Sequence, residues 1–231
     1  MTDPLSALVS EPRLRKYRAA SGDPEVVKEL YATDMRLSAA AFKALNMCEI
    51  VMRNAMDREL RKWNAKNGYG EWWTLDPAGL LKGCFINDAD DLEKARRKAT
   101  KALSTHGRVI THDDVVAQLS FGAWRYLLPP NNPHLAKEKI WEEALEGAFP
   151  SHRGTRAALV KSAAIAYDLR NRVAHHEPVF HLDLQAKRRN IKDLIDAVSR
   201  EARTWFIAND TFTAEITTFQ QFQSRHKLVV R

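Results

Sequence analysis

The run Asp168-Leu169-Arg170-Asn171-Arg172-Val173-Ala174-His175-His176-Glu177-Pro178 gathers guanidinium, amide and imidazole groups within about two helical turns. Few structural needs call for that set. Cleaving RNA without a metal requires one group to take the 2′-hydroxyl proton, one to protonate the departing 5′-oxygen, and a cation over the phosphoryl oxygens. Arginine and histidine can fill all three roles. Arg170, Asn171 and His175 are therefore the candidate catalytic residues. Arg170 would stabilise charge on the pentacoordinate phosphorus, His175 would transfer protons, and Asn171 would contact the phosphate or hold His175. His176 is a supporting candidate, either a second acid–base group or an orienting neighbour. A helix-end ion pair with a C-terminal cap would use the same residues, so the chemistry alone leaves both readings open.

Spacing sharpens the geometry. At about 100° per residue, Asn171 and His175 share a face, whereas Arg170 and His175 stand roughly 140° apart. Arg170 must reach around the helix or face a second chain. A two-fold axis beside this helix would bring the Arg and His sets of two protomers into one composite cleft. Pro178 disfavours helical geometry at Glu177, which puts His175 and His176 near the helix C-terminus, where the dipole favours imidazolium.

Arg170-Asn171-x-x-x-His175 resembles the Arg-polar-x-x-x-His signature of the HEPN (higher eukaryotes and prokaryotes nucleotide-binding) superfamily, and most closely its Abi-like abortive-infection proteins. The likeness extends over most of the chain, through Arg13-Leu14 with Tyr17, Gly22-Asp23, Leu30-Tyr31, Leu37-Ser38, Glu49 with Arg53-Asn54, and Leu119-Ser120-Phe121-Gly122 with Trp124. The resemblance implies a helical HEPN domain, a site shared by two protomers, metal-independent RNA cleavage, and a role in phage defence or a toxin–antitoxin pair with a protein or RNA antitoxin. Glu49, Arg53 and Asn54 are further supporting candidates, although Glu49 and Arg53 also have the spacing of an ordinary intrahelical ion pair. Arg53-Asn54 echoes Arg170-Asn171, yet Arg58 stands where a second catalytic unit would need His. One motif per chain argues for a homodimer.

The elements that must position these groups are helical. Strong helix formers dominate and strand-like alternation is scarce, so the sequence predicts an all-α architecture, one domain over residues 1–231 with 1–23 as an extended or helical lead. Asp23 is the expected N-cap, with Pro24 at the first helical position, of a long helix reaching about Lys66, with a break near Thr33 and Asp34. Further helices are expected over Asn87–His106, from a cap at Thr111, Asp113 or Asp114 through VVAQLSFGAWRYLL, over Lys137–Phe149, over Thr155–Ala174 and over Leu184–Ile207. The Thr-rich tail from Thr211 is ambiguous. The six tryptophans are expected chiefly in the core, with Trp72 and Trp73 in a connection the least certain.

Composition bounds the partners. The chain has 231 residues, and 36 Lys+Arg against 29 Asp+Glu give a net charge of +7, with a pI near 9.5. Such an excess draws polyanions, nucleic acid or acidic membrane surfaces. The basic runs Arg13–Arg18, Arg96–Lys101 and Lys187–Arg189 would suit an RNA surface or simple solvation. Cys48 and Cys84 fit neither a disulfide framework nor a zinc knuckle. His175, His176 and His181 have no metal-ligand spacing, and no P-loop, dinucleotide turn or hydrolase elbow occurs, so neither metal nor cofactor is expected. No signal peptide or membrane-length apolar run is evident, which points to the cytoplasm. The rival from another class is a noncatalytic RNA-binding or scaffold dimer.

Overall fold

The computed structural model describes residues 8–85, 91–103, 108–129 and 134–228, and among these the chain is all-α. Eleven described α-helices run in order: α1 Glu11–Ala20, α2 Pro24–Lys66, α3 Gly79–Gly83, α4 Asp91–Leu103, α5 His112–Gln118, α6 Phe121–Leu127, α7 Leu135–Glu143, α8 Arg156–Ala174, α9 Leu184–Val198, α10 Arg200–Asn209 and α11 Phe212–His226. A 3₁₀ turn, Leu145–Ala148, follows α7.

α2 is the spine. The Asp23 carboxylate accepts from the Glu25 N–H at 2.9 Å and Pro24 opens the helix. Its 43 residues span about 65 Å at 1.5 Å per residue. The expected break near Thr33 and Asp34 does not occur. Thr33 adds its hydroxyl at 2.8 Å to the Glu29 carbonyl, whose second lone pair can take it, and Asp34 turns inward to donors on other segments, so the helix's own hydrogen bonds continue through both. Leu37, Ala41, Ala44, Cys48, Met52, Met56, Leu60 and Trp63 form its buried stripe at three- and four-residue spacings. α1, α8, α9 and α11 all pack on this spine.

Two segments expected as single helices are each split by a serine cap. Ser120 Oγ accepts from Ala123 N–H at 3.3 Å and starts α6 afresh after α5. Ser199 Oγ accepts from Ala202 N–H at 3.1 Å and separates α10 from α9. Thr111 is the cap of α5, in a reciprocal capping box with Asp114. The Thr-rich tail becomes α11, burying Phe212, Ile216, Phe219 and Phe222. The helix expected over Asn87–His106 is seen as α4, and its flanks at 87–90 and 104–106 lie outside the described residues. Trp63, Trp73, Trp124 and Trp141 are in the core. Trp205, expected there, is 56% exposed because α10 buries only Phe206.

Polar groups pin the connections. Asn64, fully buried, donates to the Gly70 and Asp76 carbonyls at 2.9 Å each and accepts from Ala78 N–H at 2.8 Å, holding the glycine-rich turn after α2. Asp57 Oδ1 lies 2.8 Å from both Trp73 Nε1 and His112 Nε2, while His112 Nδ1 meets the Thr74 hydroxyl at 2.9 Å. Cys48 and Cys84 are free and buried, and burial pushes their thiols up to about 12 and about 11. Among the described residues, no helix is long and apolar enough to cross a membrane.

The lead segment is part of this core, since Leu14 and Tyr17 on α1 are buried among the rest. Leu14→Ala should therefore cost about 2–5 kcal/mol of unfolding free energy, as for other buried leucines, in one cooperative denaturant transition. A second, early transition for α1 alone would contradict that integration.

Candidate functional site

The helix that carries the motif, α8, is fixed before the motif begins. Thr155 Oγ1 accepts from Ala158 N–H at 3.2 Å, and Ala163, Ala166, Leu169 and Val173 form its inward face. Asn190 on α9 donates to the Ser162 carbonyl at 2.8 Å. α6 closes on the same helix at Gly122, where an added Cβ would sit 3.2 Å from the Tyr167 ring. Phe121 and Tyr126 meet that ring edge-on, with centroids 6.3 and 5.8 Å away.

The end of α8 is a Schellman arrangement. Glu177 N–H donates to the Arg172 carbonyl at 2.9 Å, and His176 N–H to that of Val173 at 3.0 Å. His176 occupies the left-handed position, with φ of 55°, that glycine usually takes there. Arg172 is engaged in this cap, pairing with Glu177 at 3.0 Å. Arg170 is not. Among the described residues no carboxylate comes within ion-pair distance of its guanidinium, which has only a 3.5 Å contact to Asn171 Oδ1.

Beyond the cap, the chain is held by Asp34. Its Oδ1 accepts from Val179 N–H at 2.9 Å and Phe180 N–H at 2.8 Å, and its Oδ2 accepts from the Tyr17 hydroxyl at 2.6 Å. Arg13 on α1 donates from Nη2 to the His176 carbonyl. Thus α1, α2 and the end of α8 enclose a cleft of about 650 Å³. Arg13 and Arg170 supply its charge, Tyr31, Met35 and Phe42 an apolar wall, and Asp34 and His176 also line it.

The predicted residues are partly brought together. Glu49, half-buried on α2, lies in the field of Arg170 and Arg53. Burial pushes its carboxyl up, and the two guanidinium groups oppose that rise. Arg53 also contacts Asn54 Oδ1 at 3.3 Å, and Asn54 is exposed. Asn171 is partly buried beside Arg170, and its carbonyl accepts from His175 N–H at 2.9 Å. His175 itself is exposed and does not line the intrachain cleft, whereas His176 does. His181, just past the site, is held below the ordinary imidazole range by burial and by Lys16 and Arg172. Among the described residues, no three His, Cys, Asp or Glu side chains gather as a metal ion would require.

Sequence reasoning passed over the role of Asp34, naming it only as a helix break. Tyr17 entered through the resemblance, and Arg13 through it and as the start of a basic run, neither as a partner of Asp34. No local pattern identifies an aspartate whose partners lie about 145 residues away.

Burial raises the Asp34 carboxyl above its usual range, outweighing its three donors and the Arg13 charge. A native value above the unfolded one gives stability that is fully present below the ordinary carboxylate range and lost as pH rises through the native value. The stability advantage of wild type over Asp34→Asn should accordingly be larger in mild acid than at neutrality, in denaturant titrations at each pH. A pH-independent difference would refute this. Compared with protein-family models, curated proteins and solved structures, the chain finds no match.

Proposed function

We propose that this chain is a HEPN-type, metal-independent endoribonuclease that acts as a homodimer in phage defence or in a toxin–antitoxin pair. The observation that carries the reading is Arg170, a guanidinium that makes no ion pair with a described carboxylate and has Glu49 only in its wider field, lining an open cleft at a helix end that also bears His175 and His176. Arg172, by contrast, is locked to Glu177 and Arg188 to Asp210. A cation not locked in an ion pair at the mouth of a cleft suits a phosphodiester.

The dimer is supported by α2. Ile50, 48% exposed, lies with Asn46, Glu49 and Arg53 in one outward stripe on that helix beside Arg170, past the cleft that Met35 and Phe42 line. Such a stripe buries well against its own two-fold copy. His175, exposed and outside the intrachain cleft, would then meet the Arg170 of a second copy, one of the two arrangements their separation around the helix allows.

In the reaction, the substrate's 2′-oxygen attacks phosphorus and the bond to the 5′-oxygen breaks. One imidazole accepts the 2′-hydroxyl proton and another protonates the leaving oxygen, while Arg170 offsets charge on the equatorial oxygens. The products are a 2′,3′-cyclic phosphate and a 5′-hydroxyl.

A noncatalytic RNA-binding dimer is the second reading, favoured by the absence of His175 from the cleft that Arg170 lines. It would show salt-sensitive binding without scission. The endoribonuclease should cut total RNA in excess chelator and leave cyclic-phosphate ends. Arg170→Ala and His175→Ala should each lower the rate by about a hundredfold or more, with the dimer intact by sedimentation. Undiminished cutting by either variant would refute the assignment.

A further inference from the structure

We infer that the cleft between α1, α2 and the end of α8 seats one nucleotide of the RNA strand within each protomer, with Arg13 and His176 as substrate-contacting residues alongside Arg170. The inference rests on RNA being the ligand, and it extends the site to residues that the motif does not contain.

Three observations carry it. First, the lining has the two chemistries a nucleotide presents. Two guanidinium groups, Arg13 and Arg170, face a phosphate-sized charge, and Tyr31, Met35 and Phe42 offer an apolar and aromatic wall for a base. The volume of about 650 Å³ is ample for one nucleotide. Second, neither arginine makes an ion pair with a described carboxylate. Arg13 touches the His176 carbonyl, and Arg170 touches only Asn171. Asp34, the acid in the cleft wall, is occupied by Tyr17, Val179 and Phe180. Two guanidinium groups against this single carboxylate leave the cleft wall with an excess of cationic groups. Third, His176 stands where the backbone favours glycine. A residue kept in a left-handed conformation at the wall of a charged cleft points to use of its side chain.

The left-handed position yields a test that separates structure from function. Glycine relaxes the backbone there, so a histidine with only a structural role would be replaced by glycine without loss. The probe is a short RNA oligonucleotide, 2′-O-methylated throughout so that it cannot be cut, with binding followed by fluorescence anisotropy. His176→Gly should raise Tm by about 2–4 °C and yet weaken binding about tenfold or more. Arg13→Gln should weaken it similarly. Arg200→Ala, which removes an equal charge from exposed α10, should leave binding unchanged. An abasic oligonucleotide of equal length and charge should bind wild type about fivefold or more weakly.

Wild-type affinity in both His176→Gly and Arg13→Gln would overturn the seat, as would an equal loss in Arg200→Ala, the mark of diffuse charge attraction. Cleavage is scored separately on unmodified RNA. A wild type that cuts while these variants bind normally leaves the endoribonuclease standing without this seat. One that binds through Arg13 and His176 but never cuts retains the seat and rejects the nuclease. If wild type does not bind the oligonucleotide at all, the seat is rejected outright.

Discussion

The carboxylate of Asp34 joins three parts of the chain that are far apart in sequence. It sits about three turns into a continuous helix, accepts from a phenol on α1, and accepts from two consecutive backbone N–H groups just beyond the motif helix. Taking an acid out of water is costly, and donors converging from both sides offset part of that cost here. The arrangement is therefore all-or-none in character. Remove the phenol or shift the turn, and a buried acid is left partly unsatisfied. Through this one group, the placement of α1 and the direction of the chain leaving α8 are coupled, and the cleft between them inherits its shape.

That coupling explains why the end of α8 can be both rigid and chemically available. Arg172 and Glu177 close the cap with an ion pair, and Tyr167 is gripped by Phe121, Gly122 and Tyr126 one turn upstream. Structural tasks among the side chains are thus assigned to Arg172, Tyr167 and Asp34, while His175 and His176 hold the helix end through their backbone groups alone. His176 even opposes local preference, since its left-handed backbone is more easily adopted by glycine. Spare groups at a well-held helix end are what a phosphate-handling site requires, because preorganised charge need not rearrange as the reaction proceeds.

α2 serves two surfaces at once. Its inward stripe carries the core, and its outward stripe, including Ile50, runs past Arg170 toward Arg53. Glu49 lies between the two, half-buried in the field of both guanidinium groups. In the dimer proposed above, the same helix that holds Asp34 would also form the seam, so protomer folding and site assembly would depend on one element.

Much of this was legible from the chain alone. Helical class, the Asp23–Pro24 start, a cap among Thr111, Asp113 and Asp114, and the stop of α8 at Ala174 follow from short-range rules, in which a side chain satisfies a backbone group a few residues away. Where such rules compete, sequence reasoning failed. Ser120 and Ser199 cap new helices inside runs that read as continuous, and Trp205 lies exposed on a helix that buries only Phe206. The candidate chemistry of Arg170, Asn171 and His175 was visible as residue types at a spacing. Which arginine is left unpaired, which histidine lines the cleft, and that Arg13, Tyr17 and Asp34 belong beside them were decided only by the tertiary structure. The physical reason is that solvent exclusion and hydrogen-bond convergence are properties of where distant segments meet, and no window of sequence contains both sides of that meeting.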